Sequence, residues 1–117
     1  MIPLIEKIKK ADRLVFGSPI YIGYVTGQAK IFLDRLYVFF RGPNAPGTMP
    51  AGKKAALVFS QGNPDENAFK KYIEMIPGFL GRQMEITDTL FAAGVPKAAD
   101  DESLMQRALQ IGLDLVK

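Results

Sequence analysis

With 117 residues, 48% of them hydrophobic and 23% charged, the chain has the size and composition of one globular domain with a single core. Its net charge of +3, with acidic and basic residues interleaved, excludes the clustered basic face that nucleic-acid binding requires. It holds no cysteine and no histidine, which excludes disulfides, thiolate metal sites, cysteine nucleophiles and imidazole bases within the chain. Catalysis would therefore have to rest on a cofactor.

Taken in order, the chain opens with Pro3, which suits a first helical turn. Leu4, Ile5, Ile8 and Ala11 fall on one face, with Glu6, Lys7, Lys9 and Lys10 opposite. The charges at Glu6 and Lys7 come too early for a signal peptide, and no apolar run approaches the ~20 residues of a membrane span. A cytoplasmic location and no membrane contact are expected. Arg13 to Gly17 carries the apolar run Leu14-Val15-Phe16, the composition of a strand buried on both faces. Gly17-Ser18-Pro19 is expected to end that strand, because Pro19 has no N–H for a ladder.

Thr26 is placed to cap a helix running to about Phe40, with a core stripe of Ala29, Phe32, Leu33, Leu36 and Phe40. Ile31 and Val38 project from nearly the opposite side, with Phe39 close by, and this second apolar stripe predicts a subunit contact. Arg41 to Lys53 is rich in glycine and proline and reads as a surface excursion, with a flap over a ligand as the alternative. Lys54 to Ser60 predicts a second buried strand, and Ser60-Gln61-Gly62-Asn63-Pro64 turns at its C-terminal end.

Asp65 to Ile76 has a helical period, with Ala68, Phe69, Tyr72, Ile73 and Ile76 inward and Pro77-Gly78 as the stop. Met84 to Phe91 predicts a third strand, at a partly exposed edge. A last helix follows Asp100-Asp101-Glu102, with Leu104, Met105, Ala108, Gly112, Leu115 and Val116 inward. Helix and strand alternate throughout, which predicts a parallel sheet covered by helices. Loops after the first and second strands then share one edge of the sheet, where open α/β sheets bind ligands.

The run Gly17-Ser18-Pro19-Ile20-Tyr21-Ile22-Gly23, followed by Thr26-Gly27-Gln28-Ala29-Lys30-Ile31-Phe32-Leu33-Asp34-Arg35, resembles the GSPxYxG…TGQxKxFxDR segment of the NAD(P)H-dependent FMN reductases. These are flavodoxin-like proteins, and the iron–sulfur flavoproteins belong with them. The resemblance implies a three-layer α/β sandwich in which the three strands here are the third to fifth of a 2-1-3-4-5 sheet. Residues 1–117 would then be a single flavodoxin-like domain matching the C-terminal two-thirds of a typical member. The first two strands, the Ser/Gly/Thr-rich loop that cradles the FMN phosphate, and the iron–sulfur cysteines have no counterpart in the sequence.

The resemblance also implies FMN as cofactor, NAD(P)H as co-substrate and a small electron acceptor, a quinone or a free flavin. Pro19, Ile20, Tyr21, Ile22 and Gly23, with Ser60, Gln61 and Gly62, become the residues expected against the flavin ring. Small residues there permit close approach, and Tyr21 offers an aromatic face. No catalytic side chain is implied, since hydride transfer between stacked rings needs none. Tyr24, Tyr37 and Tyr72 read as packing residues, and Arg35 as a subunit or surface contact. A homo-oligomer is expected through the Ile31/Val38 face and the open sheet edge. Two other readings stand beside the reductase: a non-catalytic subunit that keeps the scaffold without FMN, and a flavodoxin-like electron carrier.

Overall fold

Among the described residues, four strands form one sheet in the order β2-β1-β3-β4, where β1 is Arg13–Tyr21, β2 Tyr24–Val25, β3 Lys54–Gln61 and β4 Glu85–Ala93. The computed structural model describes residues 2–40 and 49–117, apart from the side chains of Ile2, Val38 and Phe40. The predicted contact at Val38, the predicted core role of Phe40 and most of the excursion after Arg41 lie outside the described residues.

The three predicted strands are parallel and adjacent in sequence order, with Arg13 beside Lys54 and Lys54 beside Glu85. Their apolar runs sit where the alternation requires. Leu14, Phe16, Ser18 and Ile20 face the same side as Ala55, Leu57 and Phe59. Phe16, Phe59 and Phe91 carry this face across the sheet, with ring centroids 6.4 Å and 5.4 Å apart, and Phe32 stacks on Phe16 at 5.7 Å. Leu57 and Phe59 have no exposed surface, and burial of each stabilises the fold by about 2–3 kcal/mol. One extra residue, Thr87, bulges β4 between the Ala55 and Ala56 registers, and its hydroxyl donates to the Ala55 carbonyl at 3.3 Å.

That face is covered by α1 (Ile2–Lys10), α2 (Gly27–Arg35), α3 (Lys70–Ile73) and α4 (Met75–Leu80). Among the described residues, the other face is covered by α5 (Glu102–Leu115) alone, through Ile111 and Leu115 against Ala56 and Leu90. Buried Lys53 ties α1 to the sheet, its Nζ donating to the carbonyls of Lys9 at 2.8 Å and Ala11 at 2.5 Å. These are carbonyls that a helix C-terminus leaves open.

Several boundaries differ from the sequence expectation. The strand at Arg13 does not stop at Gly17 but continues through Pro19 to Tyr21. Pro19 stays in the ladder because, among the described residues, β1 has an outer neighbour only at Ile20 and Tyr21, and an edge strand tolerates the missing N–H. The chain then reverses through Ile22 and Gly23, both at positive φ (50° and 79°), into the short antiparallel strand β2. Thr26 caps α2 as expected, its Oγ1 accepting the Ala29 N–H at 3.1 Å.

α2 ends at Arg35 and tightens into a 3-10 turn at Leu36–Phe40. Three residues per turn bring Leu33, Leu36 and Phe39 into line, so Phe39 is buried in the core and is not part of an outer contact face. The helix expected from Asp65 begins only at Lys70, because Asn63 and Asp65 side chains accept the N–H groups of Asp65 and Asn67, both at 2.9 Å. Pro77 does not stop the next helix; it sits in the first turn of α4, where its missing N–H costs little. Tyr37, Tyr72, Met105 and Val116, all expected to pack inward, are exposed.

Candidate functional site

The C-terminal ends of β1, β3 and β4 meet at one edge of the sheet, and the loops that follow them enclose two adjoining clefts. The first, of about 410 Å³, lies between the ends of the three strands and is lined by Pro19, Ile20, Tyr21, Ser60, Gln61, Gly62, Ala92, Gly94, Val95 and Pro96. The second, of about 590 Å³, lies against the hairpin and is lined by Ile20, Ile22, Gly23, Tyr24, Gln61, Gly62, Asn63, Phe69 and Tyr72. Ile20, Gln61 and Gly62 belong to both. All eight residues expected at a ring site line one cleft or the other.

The hairpin is held by Ser18, buried at the end of β1. Its Oγ accepts the Thr26 N–H at 3.1 Å and donates to the Pro19 carbonyl at 2.8 Å. This fixes the tip, where Ile22 stands wholly in solvent with the backbone in the left-handed region. A β-branched residue there costs about 1–3 kcal/mol, a strain that surrounding structure must impose. Gly23 follows at φ 79°, with an added Cβ 3.4 Å from the Phe69 ring.

Gln61 anchors the opposite wall. Its amide nitrogen donates to the carbonyls of Asn63 at 2.9 Å and Asp65 at 2.8 Å, which fixes the side-chain amide in one orientation. Its oxygen, Oε1, is buried without a hydrogen-bond partner among the described residues. The Gln61 carbonyl accepts the Gly94 N–H at 2.8 Å and so closes the β3 and β4 ends together.

The loop after β4 and the pair Phe69 and Tyr72 were not expected at the site. The first had a signal in the sequence, since the exit of a third parallel strand must reach the same edge. Tyr72 had none, because its position depends on where the delayed helix α3 begins. Thr26, which caps α2, lines neither cleft.

The lining suits a flat, weakly polar ring. Tyr21 and Tyr72 offer aromatic faces, Ile20 and Pro19 offer apolar surface, and no lysine, arginine, aspartate or glutamate lines either cleft. These residues fit the isoalloxazine of a flavin in their apolar and aromatic surface and in their lack of charge. They do not supply cationic partners for a phosphate. No group of three or more metal-binding side chains occurs among the described residues.

A mostly parallel sheet with helices on both faces and a ligand-sized cleft at the C-terminal strand ends defines a doubly wound α/β protein. The chain belongs to the family described as having a flavodoxin-like fold, whose model matches residues 3–113. Among curated relatives, an FMN-dependent NADH:quinone oxidoreductase of Haemophilus influenzae is 34% identical over 94 residues, covering 75% of this chain and 46% of that protein. An FMN-dependent NADH:quinone oxidoreductase 6 of Burkholderia lata is 30% identical over 109 residues, covering 86% and 54%. The chain thus spans about half the length of the curated relatives it matches. Among solved structures, the Trp repressor binding protein of Bacillus subtilis superposes with a TM-score of 0.73 at 25% identity, covering 94% of this chain and 74% of that one. An apo NADH:FMN oxidoreductase superposes at 0.68 and 20% identity, covering 94% and 55%.

Proposed function

We propose that the chain binds the ring of FMN at the C-terminal edge of its sheet and serves NAD(P)H-dependent reduction of a small acceptor, a quinone or a free flavin. The observation that carries this reading is the convergence of Pro19–Gly23 and Ser60–Gly62 on uncharged clefts with aromatic walls. The relatives named as FMN-dependent NADH:quinone oxidoreductases support it. Bound FMN would supply the redox chemistry that links a nicotinamide to the acceptor.

This chain's residues would bind, orient and shield. Pro19, Ile20 and Tyr21 cover apolar ring surface and exclude water from it. Gln61 holds the turn after β3 that forms the wall, its side-chain amide fixed by the two carbonyls to which it donates. Gly62 keeps the wall low, and a side chain added there would project into open space beside both clefts. No side chain is asked to move a proton.

The absence of charged residues from the lining also supports a second reading, a scaffold subunit that does not hold FMN. A self-association of copies through α2 is part of the proposal, with exposed Ile31 at its centre. We also place the protein in the cytoplasm; no helix among the described residues is long and apolar enough to cross a membrane.

Steady-state oxidation of NADH and NADPH with a soluble benzoquinone, in excess FMN, tests the reading. Turnover that falls at least about tenfold in a Tyr21→Ala, Gly62→Val double variant is expected. Equal rates in the variant would rule out this cleft, and no turnover above the protein-free rate would favour the scaffold.

A further inference from the structure

A third cavity, of about 390 Å³, opens between α2 and α4. Leu33 and Ile76, both buried, form its floor, while Tyr37 and Met75 stand largely exposed at its sides. Core packing does not account for the last two, and neither reaches the ring clefts.

This cavity continues the second ring cleft. Tyr24, on β2, lines both. A second shared wall comes from α3 and α4, which follow one another through Glu74 at helical φ and ψ. At ~100° per residue, Phe69, Tyr72, Met75, Ile76 and Phe79 fall within an arc of about 120°. The first two line the cleft and the last three line the cavity. One aromatic and apolar helical face therefore runs from the ring clefts into the groove.

The groove has no charge to spare. Among the described residues, Lys30 and Asp34 are the charged ones that line it, and they pair with each other. An ionic ligand would have to break that pair, whereas a hydrocarbon chain would gain by leaving water against Leu33, Met75 and Phe79.

We propose that the groove receives the apolar side chain of the acceptor, which makes the substrate a quinone with a long hydrocarbon substituent. This rests on the reading of the ring clefts as the place where the acceptor meets the flavin. The quinone ring stays there, and its chain leaves past Tyr24 between α2 and α4. A free flavin is the poorer acceptor on this ground, because an apolar groove would strip water from the hydroxyls of its ribityl chain.

A second copy is a less suitable occupant. Exposed Ile31 lies roughly 110° round α2 from the midline of Lys30, Leu33 and Asp34, so a contact centred on Ile31 leaves the groove open.

The test titrates the chain, supplemented with FMN, by calorimetry with a methoxylated benzoquinone and with the same ring carrying a decyl chain. The decyl compound is expected to bind at least about tenfold more tightly, since each fully buried methylene contributes about fourfold. Met75→Glu and Tyr37→Asp, at exposed positions outside the ring clefts, should leave the chain folded by circular dichroism. Each should cut the decyl advantage below about threefold and leave affinity for the unsubstituted ring unchanged. In turnover they should raise KM for the decyl compound alone, with kcat unaltered. Equal affinity of the unmutated chain for the two quinones overturns the proposal while the ring reading stands, and so does an advantage that survives both variants. Binding of neither quinone defeats the ring reading and this inference with it. A variant that sediments at a smaller size than the unmutated chain would assign the groove to a contact between copies and also overturn it.

Discussion

The carbonyl of Gln61 and the amide of Gly94 meet at 2.8 Å, and this single bond joins the ends of β3 and β4 at the mouth of the first cleft. Gly94 has φ 67°, and a Cβ there would stand 2.9 Å from both Cα and Cβ of Pro64. Gly94→Ala should therefore cost about 1–3 kcal/mol, from backbone strain and from a clash with a rigid ring. Urea unfolding measures it, and a change below a few tenths of a kcal/mol would show that the loop relaxes freely.

Lys53 is buried with carbonyl partners at Lys9 and Ala11 and serves as the link between the end of α1 and the sheet. Lys53→Ala removes two charge-assisted hydrogen bonds and leaves both carbonyls to find water. A loss of about 2–3 kcal/mol is expected, with α1 amides exchanging faster than those of β3. Uniform acceleration across the domain would mean that α1 is not a separable unit.

At the hairpin tip, Ile22 holds positive φ without burying any of its surface. Asparagine tolerates that conformation far better, so Ile22→Asn should stabilise the chain by about 1 kcal/mol. If the strain serves ligand contact, the same variant loses flavin affinity as it gains melting temperature. A gain in both would assign no role to the isoleucine.

On α2, Ile31 is 60% exposed between Lys30 and the Asp34 that pairs with it. Ile31→Asp should reduce the hydrodynamic size at micromolar concentration if copies meet there. An unchanged size would remove this face from the assembly.

Much of the fold was legible because apolar runs such as Leu14-Val15-Phe16 and Ala55–Phe59 admit few other readings. The edge site was legible for a related reason: parallel strands must deliver their exits to one side. What escaped depended on local competition. Pro19 reads as a stop until the open edge beside it is known. Ile22-Gly23 breaks the turn preferences that would have revealed the hairpin. Asn63 and Asp65 take the backbone N–H groups that a helix from Asp65 would have used. α5 carries apolar residues nearly all round, so the pattern alone did not separate buried Ile111 and Leu115 from exposed Met105 and Val116.

The central claim is that these clefts hold a flavin by its ring and give its phosphate no cationic partner. Calorimetric titration of the monodisperse chain with riboflavin and with FMN compares the two directly. The expected dissociation constants lie within about threefold of each other, both in the micromolar range or weaker, and both raised about tenfold or more by Gly62→Val. Submicromolar FMN binding with no measurable riboflavin binding would contradict it, because the phosphate would then be the group the chain recognises.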